Sequence, residues 1–225
     1  MYPDNYKPPI LTVDSVIFQL LDGELSVLLI RRSNDPFKGA WALPGGYCAA
    51  GETTHGAMDR ILETKAGINT KDLGLVEQLY TFDTVARDPR GHAVSVTYMG
   101  LGKDLVPRTS KSTQAPSFIP LNRTPKLAYD HESIITYAHQ RLQNKITYTN
   151  SIFALLPKLF TLSQLQMAHE SIFGRQLDKR NFRKKFLSLG LIEDTNEMYA
   201  EGAHRPARLY KFKEQTLVSL SRDFD

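Results

Sequence analysis

Apolar residues open the chain in two short blocks, Leu11 to Leu21 and Leu25 to Arg31, separated by Asp22-Gly23. A two-residue Asp-Gly break between β-rich runs predicts a tight hairpin, because both turn positions must take positive φ. A loop follows with Pro36, Gly39, Pro44, Gly45 and Gly46, and the period then changes. Met58, Leu62 and Ala66 recur every four residues with Ile61 beside them, which predicts a helix from Thr54 to Ala66 with one apolar stripe. Leu79 to Asp83 and Ala93 to Leu101 read as strands, the second entered through the turn signal Asp88-Pro89-Arg90-Gly91. The polar stretch from Lys103 to Ser117, with Pro107 and Pro116, reads as an irregular excursion. Ile135, Ala138 and Leu142 predict a helix from Asp130 to Asn144.

Beyond Ile146 to Asn150 the pattern turns helical, so the expected division is residues 1–146 and 147–225. Thr161-Leu162-Ser163-Gln164 fits a capping box, opening a helix that runs to about Phe173 and stops at Gly174. Asp178 can cap a second helix, on which Phe182, Phe186 and Leu189 share a face and which Gly190 ends. Glu197 to Gly202 reads as a turn and Arg208 to Phe212 alternates like a strand. Helices, a basic last helix, a turn and a strand together suit a winged helix-turn-helix.

Charge changes the picture only when it is mapped. The net +4 of the 225-residue chain is unremarkable, but from Thr147 onward 12 Lys or Arg face 9 Asp or Glu. Six basic residues crowd Arg175 to Lys185 with one acid, Asp178, which points to a polyanionic partner. No apolar run approaches the roughly 18 residues of a membrane span. The single cysteine, Cys48, excludes an internal disulfide. With no secretory signal in Met1 to Pro9, the expectation is a soluble protein of the reducing cytoplasm.

Gly46, Glu52, Arg60, Leu62, Gly67 and Ile68 stand at the spacing of the Nudix box, and the lead-in Phe37-x-Gly39-x-Trp41-Ala-Leu-Pro-Gly45-Gly46 resembles the same family. The resemblance implies an α/β/α Nudix sandwich with a mixed sheet, an α+β first domain. It also implies an ion pair between Glu52 and Arg60. The three glutamates that hold divalent cations in working members are replaced by Ile61, Thr64 and Lys65. Ile61 has no oxygen, Thr64 has a neutral hydroxyl, and Lys65 puts a cation where a hard cation wants carboxylates. Glu63 projects about 100° away from position 64 around the helix. No catalytic residue, no bound metal and no required cofactor are therefore expected. A metal-free cleft can still take a nucleotide: Arg31, Arg32, Arg87 and Arg90 are candidates for phosphate, and Phe37, Trp41, Tyr80 and Phe82 for a base, around Gly45, Gly46 and Glu52. Trp41 and Phe82 can equally be core residues, and Arg87 and Arg90 can decorate a turn.

For the second domain, Lys179, Arg180, Asn181, Arg183 and Lys184 on the last helix, with His204, Arg205 and Arg208 ahead of and in the strand, are the DNA-contact candidates. A solvated basic face is the plainer reading of the same residues. Thr147-Tyr-Thr-Asn150, Leu155-Leu-Pro157, Leu177-Asp-Lys-Arg-Asn-Phe-Arg183 and Arg205-Pro-Ala-x-Leu-Tyr210 resemble the Nudix-related transcriptional regulators of NAD metabolism. That resemblance implies a homodimeric repressor of NAD-biosynthesis genes on an inverted-repeat DNA operator, with ADP-ribose or a related metabolite as effector. The rivals are a Nudix hydrolase of ADP-ribose-type diphosphates with a non-standard metal site, and an RNA-binding module. Single-strand RNA readers display aromatic platforms, whereas Phe182 and Phe186 read as core.

Overall fold

The computed structural model describes residues 7–108, 114–200 and 206–220. Its first half is built on a mixed sheet whose centre is β1 (Ile10–Leu21). β1 runs antiparallel to β2 (Glu24–Arg31) on one side and parallel to β6 (Ala93–Gly102) on the other. The hairpin between β1 and β2 turns at Asp22 and Gly23, both with positive φ as the Asp-Gly pair requires. Short strands β3 (Trp41–Ala42) and β4 (Gly45–Tyr47) pair with β2 and β1, and β5 (Leu73–Phe82) forms the far edge against β6.

One helix covers each face. α1 (Thr54–Ala66) is capped by the Thr53 side chain and closed by Gly67 in the left-handed region. Its stripe of Met58, Ile61, Leu62 and Ala66 packs on Val13, Ile17 and Leu28. α2 (His131–Tyr148) covers the other face with Ile134, Ile135, Ala138, Leu142 and Ile146. This is the expected α/β/α sandwich with a mixed sheet.

Three departures from the sequence expectations have physical causes. The stretch read as irregular up to Ser117 contains the start of β7 (Gln114–Pro120), which pairs with the outer edge of β2. Its register shifts between the partners Leu29 and Arg31, opposite the segment holding Pro116; an edge strand with an irregularity is where proline is tolerated. β5 begins at Leu73, not Leu79, because bulges at two places let a strand containing Gly74 keep pairing with β6. α2 runs on through Tyr148.

The second half is a small helical unit with a hairpin. After a 3-10 turn over Ser151–Leu155 come β8 (Phe160–Thr161), α3 (Leu162–Phe173), α4 (Lys179–Ser188), β9 (Ile192–Tyr199) and β10 (Ala207–Phe212). The capping box at Thr161 and Gln164 forms in both directions, and Asp178 caps α4 through Asn181 N. β8, β10 and β9 make a three-stranded sheet, so β9 and β10 form the wing. β9 has no signature in the sequence, because its Ile-Glu-Asp-Thr-Asn-Glu-Met-Tyr is mostly exposed and lacks clean alternation. Leu189 does not join Phe182 and Phe186: α4 ends at Ser188, Gly190 turns the chain at φ 64°, and Leu189 is left 40% exposed.

The two halves share one hydrophobic core. Ile152 to Leu156, Phe160, Leu165, Ile172, Phe186 and Phe212 belong to the same cluster as Val16, Leu29, Ile134 and Leu142. Polar bonds reinforce the join. Leu25 N donates to Ser171 Oγ at 2.6 Å, and His139 Nε2 and Gln143 Nε2 both reach the Ile172 carbonyl, at 2.6 and 2.9 Å. Asn150 is buried and clasps the C-terminal stretch, donating to Thr216 O at 2.9 Å and accepting from Val218 N at 2.7 Å. No described helix is long and apolar enough to cross a membrane.

Two buried polar groups give tests of this architecture. Arg87 lies between Asp14 on β1 and Asp130 at the start of α2, with Nη2 at 3.1 and 2.8 Å and its side chain 5% exposed. Arg87→Ala strands the carboxylates of Asp14 and Asp130 and is expected to cost about 3–5 kcal/mol in chemical denaturation. Arg87→Lys, which keeps the charge and loses the fork, should fall between it and the unaltered protein.

His169 is buried among Phe173, Phe182 and Phe186, and burial holds its ring pKa down at about 4. The unfolded chain takes up its proton near pH 6.5 and the folded chain does not. Stability is therefore full above about pH 6.5 and falls as the pH drops toward 4, by about 3 kcal/mol in all. Melting curves between pH 7.5 and 5 should show this loss, and His169→Leu should remove that part of it.

Candidate effector cleft and cationic helix

Beside the amino half of β1 and the carboxyl end of β2 the sheet opens into a cleft of about 250 Å³. Its floor is polar. Asp14 Oδ2 accepts from Ser95 Oγ at 2.6 Å and from Arg87, and His131 stands 3.7 Å from Asp14 Oδ1. His131 Nδ1 accepts from Leu43 N at 2.9 Å, so the ring proton sits on Nε2. Burial, the largest influence, keeps that ring neutral by pushing its pKa down. Burial also opposes the charge of Arg87, and the bonds to Asp130 and Asp14 more than offset it, leaving its pKa raised.

Gly45 is sterically required here: a Cβ on it would stand 1.9 Å from Asp14 Oδ1. A Cβ on Gly46 would meet Ile61 at an ordinary 3.4 Å. Lys65 reaches over this backbone from the last turn of α1, its Nζ donating to the Gly45 carbonyl. Burial and then Arg32 push the Lys65 amine below its usual range.

The walls are aromatic and cationic. Tyr129 stands under two guanidinium groups, Arg32 at 4.8 Å and Arg90 at 5.8 Å from its ring. Its backbone is left-handed at φ 57°, and its hydroxyl is buried without a hydrogen-bond partner among the described residues. Burial raises the pKa of that phenol. A strained backbone presenting an unmatched buried hydroxyl is a site waiting for a polar partner. Arg90 also donates to Tyr47 Oη at 2.7 Å and to both oxygens of Asp88. Its hydrogen bonds keep the Asp88 carboxyl below its usual range.

Of the effector candidates, Arg32, Gly45, Gly46, Arg87 and Arg90 line the cleft. The others lie elsewhere in the structure. Arg31 turns away, donating to Gly39 O at 2.7 Å and lying 4.3 Å over the ring of Trp41. Trp41 is partly buried against the main core. Phe37 packs edge-on to Tyr129 at 4.9 Å and is itself outside the lining. Tyr80 is on β5, against Phe82 and Tyr137 and away from the cleft, because alternate residues of a strand face opposite ways. Glu52 is engaged by Arg60 through a two-pronged pair at 2.7 and 2.6 Å and by Ala49 N. Those bonds, Arg60 first, hold its carboxyl at about 2. It braces the loop, as the resemblance implied.

Among the lining residues outside that candidate set are Tyr47, Lys65, Tyr129 and His131. Tyr129 and His131 lie far along the chain from the box, and only the fold brings them to it. Position 65 was visible, but as an obstacle to metal. No carboxylate group gathers there. Ile61 is buried in the core, and Thr64 Oγ1 bonds back to Arg60 O at 2.6 Å. Among the described residues no cluster of three or more His, Cys, Asp or Glu could hold a metal ion.

The cationic face is on α4. Lys179, Arg180, Asn181, Lys184 and Lys185 are exposed, while Phe182 and Phe186 stack at 5.7 Å on the inner side. Arg183 is half-buried and donates to Ser163 Oγ at 3.1 Å, bridging to α3. Arg208 lies on β10, 63% exposed, paired with Asp194 of β9. His204 and Arg205 lie outside the described residues.

Residues 11–138 match the NUDIX domain family, and residues 152–212 match the NrtR DNA-binding winged helix domain. The chain is 37% identical over 216 residues to the ADPR responsive transcriptional repressor NtrR of Acinetobacter baylyi, covering 94% of this chain and 85% of that one. It is also 37% identical over 132 residues to the ADP-ribose pyrophosphatase of Methanocaldococcus jannaschii, covering 58% and 73%. Among solved structures, Shewanella oneidensis NrtR in complex with a 27mer DNA superimposes with a TM-score of 0.76 at 36% identity, covering 90% of this chain and 93% of that one. The NUDIX domain of the same Shewanella protein, solved with ADP ribose, has a TM-score of 0.58 at 35% identity, covering 63% and 94%. By fold, by both domains and by similarity along nearly its full length, this chain belongs to the NrtR family, in which a Nudix domain is joined to a DNA-binding winged helix.

Proposed function

We propose that this protein is a DNA-binding transcriptional repressor of NAD-biosynthesis genes whose Nudix cleft binds ADP-ribose, or a related NAD metabolite, and thereby sets operator affinity. The observation that carries the reading is the joining, through one continuous core, of an exposed cationic α4 to a cleft lined by Arg32, Lys65 and Arg90. The Acinetobacter relative is named for its response to ADPR, and the Shewanella relative was solved with both DNA and ADP ribose. The division at residues 146 and 147, the homodimer and the inverted-repeat operator belong to this proposal.

Lys179, Arg180, Asn181 and Lys184 would approach phosphates and base edges from α4, with the β9–β10 hairpin and Arg208 touching the backbone. Arg183 acts from its bridge to Ser163. ADP-ribose would place its diphosphate against Arg32 and Arg90 and take the unmatched Tyr129 hydroxyl as a partner. A ligand shifts the DNA-binding state only by its differential affinity, about 1–3 kcal/mol in typical couplings.

Hydrolysis is not part of the proposal. The absence of clustered carboxylates among the described residues supports a sensor over an enzyme. The Methanocaldococcus relative keeps the hydrolase alternative worth testing, and chromatography of ADP-ribose incubated with the protein and Mg²⁺ should recover it intact.

A mobility-shift titration tests the main reading. On a duplex inverted repeat recovered by in vitro selection, ADP-ribose should release bound protein. If ADP-ribose, NAD and its precursors all leave the complex unchanged, the sensor role fails. Arg180→Ala should weaken binding and reduce the slope of log affinity against log salt by about 0.9; an unchanged slope would remove α4 from the phosphate backbone. Tyr129→Phe should lower ADP-ribose affinity roughly tenfold while leaving operator affinity without ligand untouched.

A further inference from the structure

The position that argues against a metal carries its own chemistry. Lys65 projects from the last turn of α1 over the Gly45–Gly46 backbone, its Nζ donating to the Gly45 carbonyl. It lines the cleft beside Asp14, Arg32 and Arg90. Where the Nudix box has a carboxylate, this chain has an ammonium, a change of two charge units. That is the charge a bound divalent ion would bring.

Every cation of the cleft is bonded within the protein, Lys65 to Gly45 included. Arg87 is held between Asp14 and Asp130, Arg90 grips Asp88, and Arg32 donates to the carbonyls of Pro36 and Asn34. At Lys65 the balance differs. Burial and the neighbouring Arg32 and Arg60 destabilise its charge more than Asp14 restores it. A cation held at such a cost is relieved by an arriving anion, and the donor set around it does not fit Mg²⁺.

We propose that Lys65 is the tethered replacement for the divalent cation: it contacts the diphosphate of the effector directly, so that effector binding needs no metal. This rests on the reading of the cleft as the ADP-ribose site and adds a residue and a mode of recognition to it. Lys65 is a binding residue here, with no role in bond cleavage.

Calorimetric titration of the full-length protein with ADP-ribose, in EDTA and in Mg²⁺, tests it without any substitution. The unaltered protein should give the same Kd within about twofold in both buffers. A Kd more than tenfold weaker in EDTA would overturn the proposal. Lys65→Met, with a melting temperature matched to the unaltered protein, should bind ADP-ribose at least tenfold more weakly in both buffers. An unchanged Kd would remove Lys65 from the site. Lys65→Glu, which puts an anion against the diphosphate, should bind poorly in EDTA and in Mg²⁺ alike, since Ile61 and Thr64 still supply no carboxylate. Lys65→Arg should keep most of the affinity, which a merely structural role for the Gly45 contact would not require. The two levels separate cleanly. If the unaltered protein binds no ADP-ribose in either buffer, the sensor reading itself falls. If it binds normally and Lys65→Met does too, only the role of Lys65 falls.

Discussion

The fork of Arg87 between Asp14 and Asp130 is the contact on which the cleft depends. Asp14 is on the central strand, Asp130 at the start of α2, and Arg87 on the connection between β5 and β6. One guanidinium thus holds three parts of the fold at a single point. A buried charge is tolerable only when it is matched, and a planar fork matches two carboxylates where an ammonium would match one. The consequence for function is indirect. With Arg87 neutralised as floor, the loop that follows it is held in place, and Arg90 arrives over Tyr129. The other cations lining the cleft are Arg32, Arg90 and Lys65.

The same fork reaches the DNA-binding half through α2. Asp130 precedes the first turn of that helix, and its later turns carry Leu142 and Ile146 into the shared core. His139 and Gln143, midway along, hold the carbonyl of Ile172 at the end of α3. α3 in turn supports α4 through His169 and the stacked Phe182 and Phe186. Helices are stiff over this length, so a ligand that pulls on Arg87, Tyr129 or Asp130 acts on an element whose far side seats the winged helix. The path is contiguous packing, and its energetic weight is for double-mutant cycles across His139 and Arg87 to measure.

Much of this was legible in the sequence. Amphipathic period and caps placed α1, α3 and α4 closely, because Thr161 with Gln164, Asp178 and the terminal glycines act locally. The loop brace of Glu52 and Arg60 was readable for the same reason: the motif fixes their spacing. What failed was non-local. β7 and the first half of β5 exist because partner strands accept a proline-bearing edge and a bulge, which no window along the chain reveals. Tyr129 and His131 enter the cleft only because α2 begins beneath it. Arg31 and Arg32 are adjacent and chemically equivalent on paper, yet strand alternation sends one to Trp41 and the other to Tyr129.

The loss at positions 61, 64 and 65 also reads differently in three dimensions. Had the site simply decayed, three unrelated replacements would be expected. Instead each does something specific: Ile61 fills the core under α1, Thr64 bonds back to its own helix, and Lys65 crosses to the glycine backbone of the cleft. Two of the three finish the packing of a helix end, and the third leaves a cation facing the ligand space. Hydrolysis needs a metal that can polarise a diphosphate and activate water. An ammonium can hold the same diphosphate but activates nothing. For the proposed sensor that distinction is useful: it would hold its effector without cleaving it.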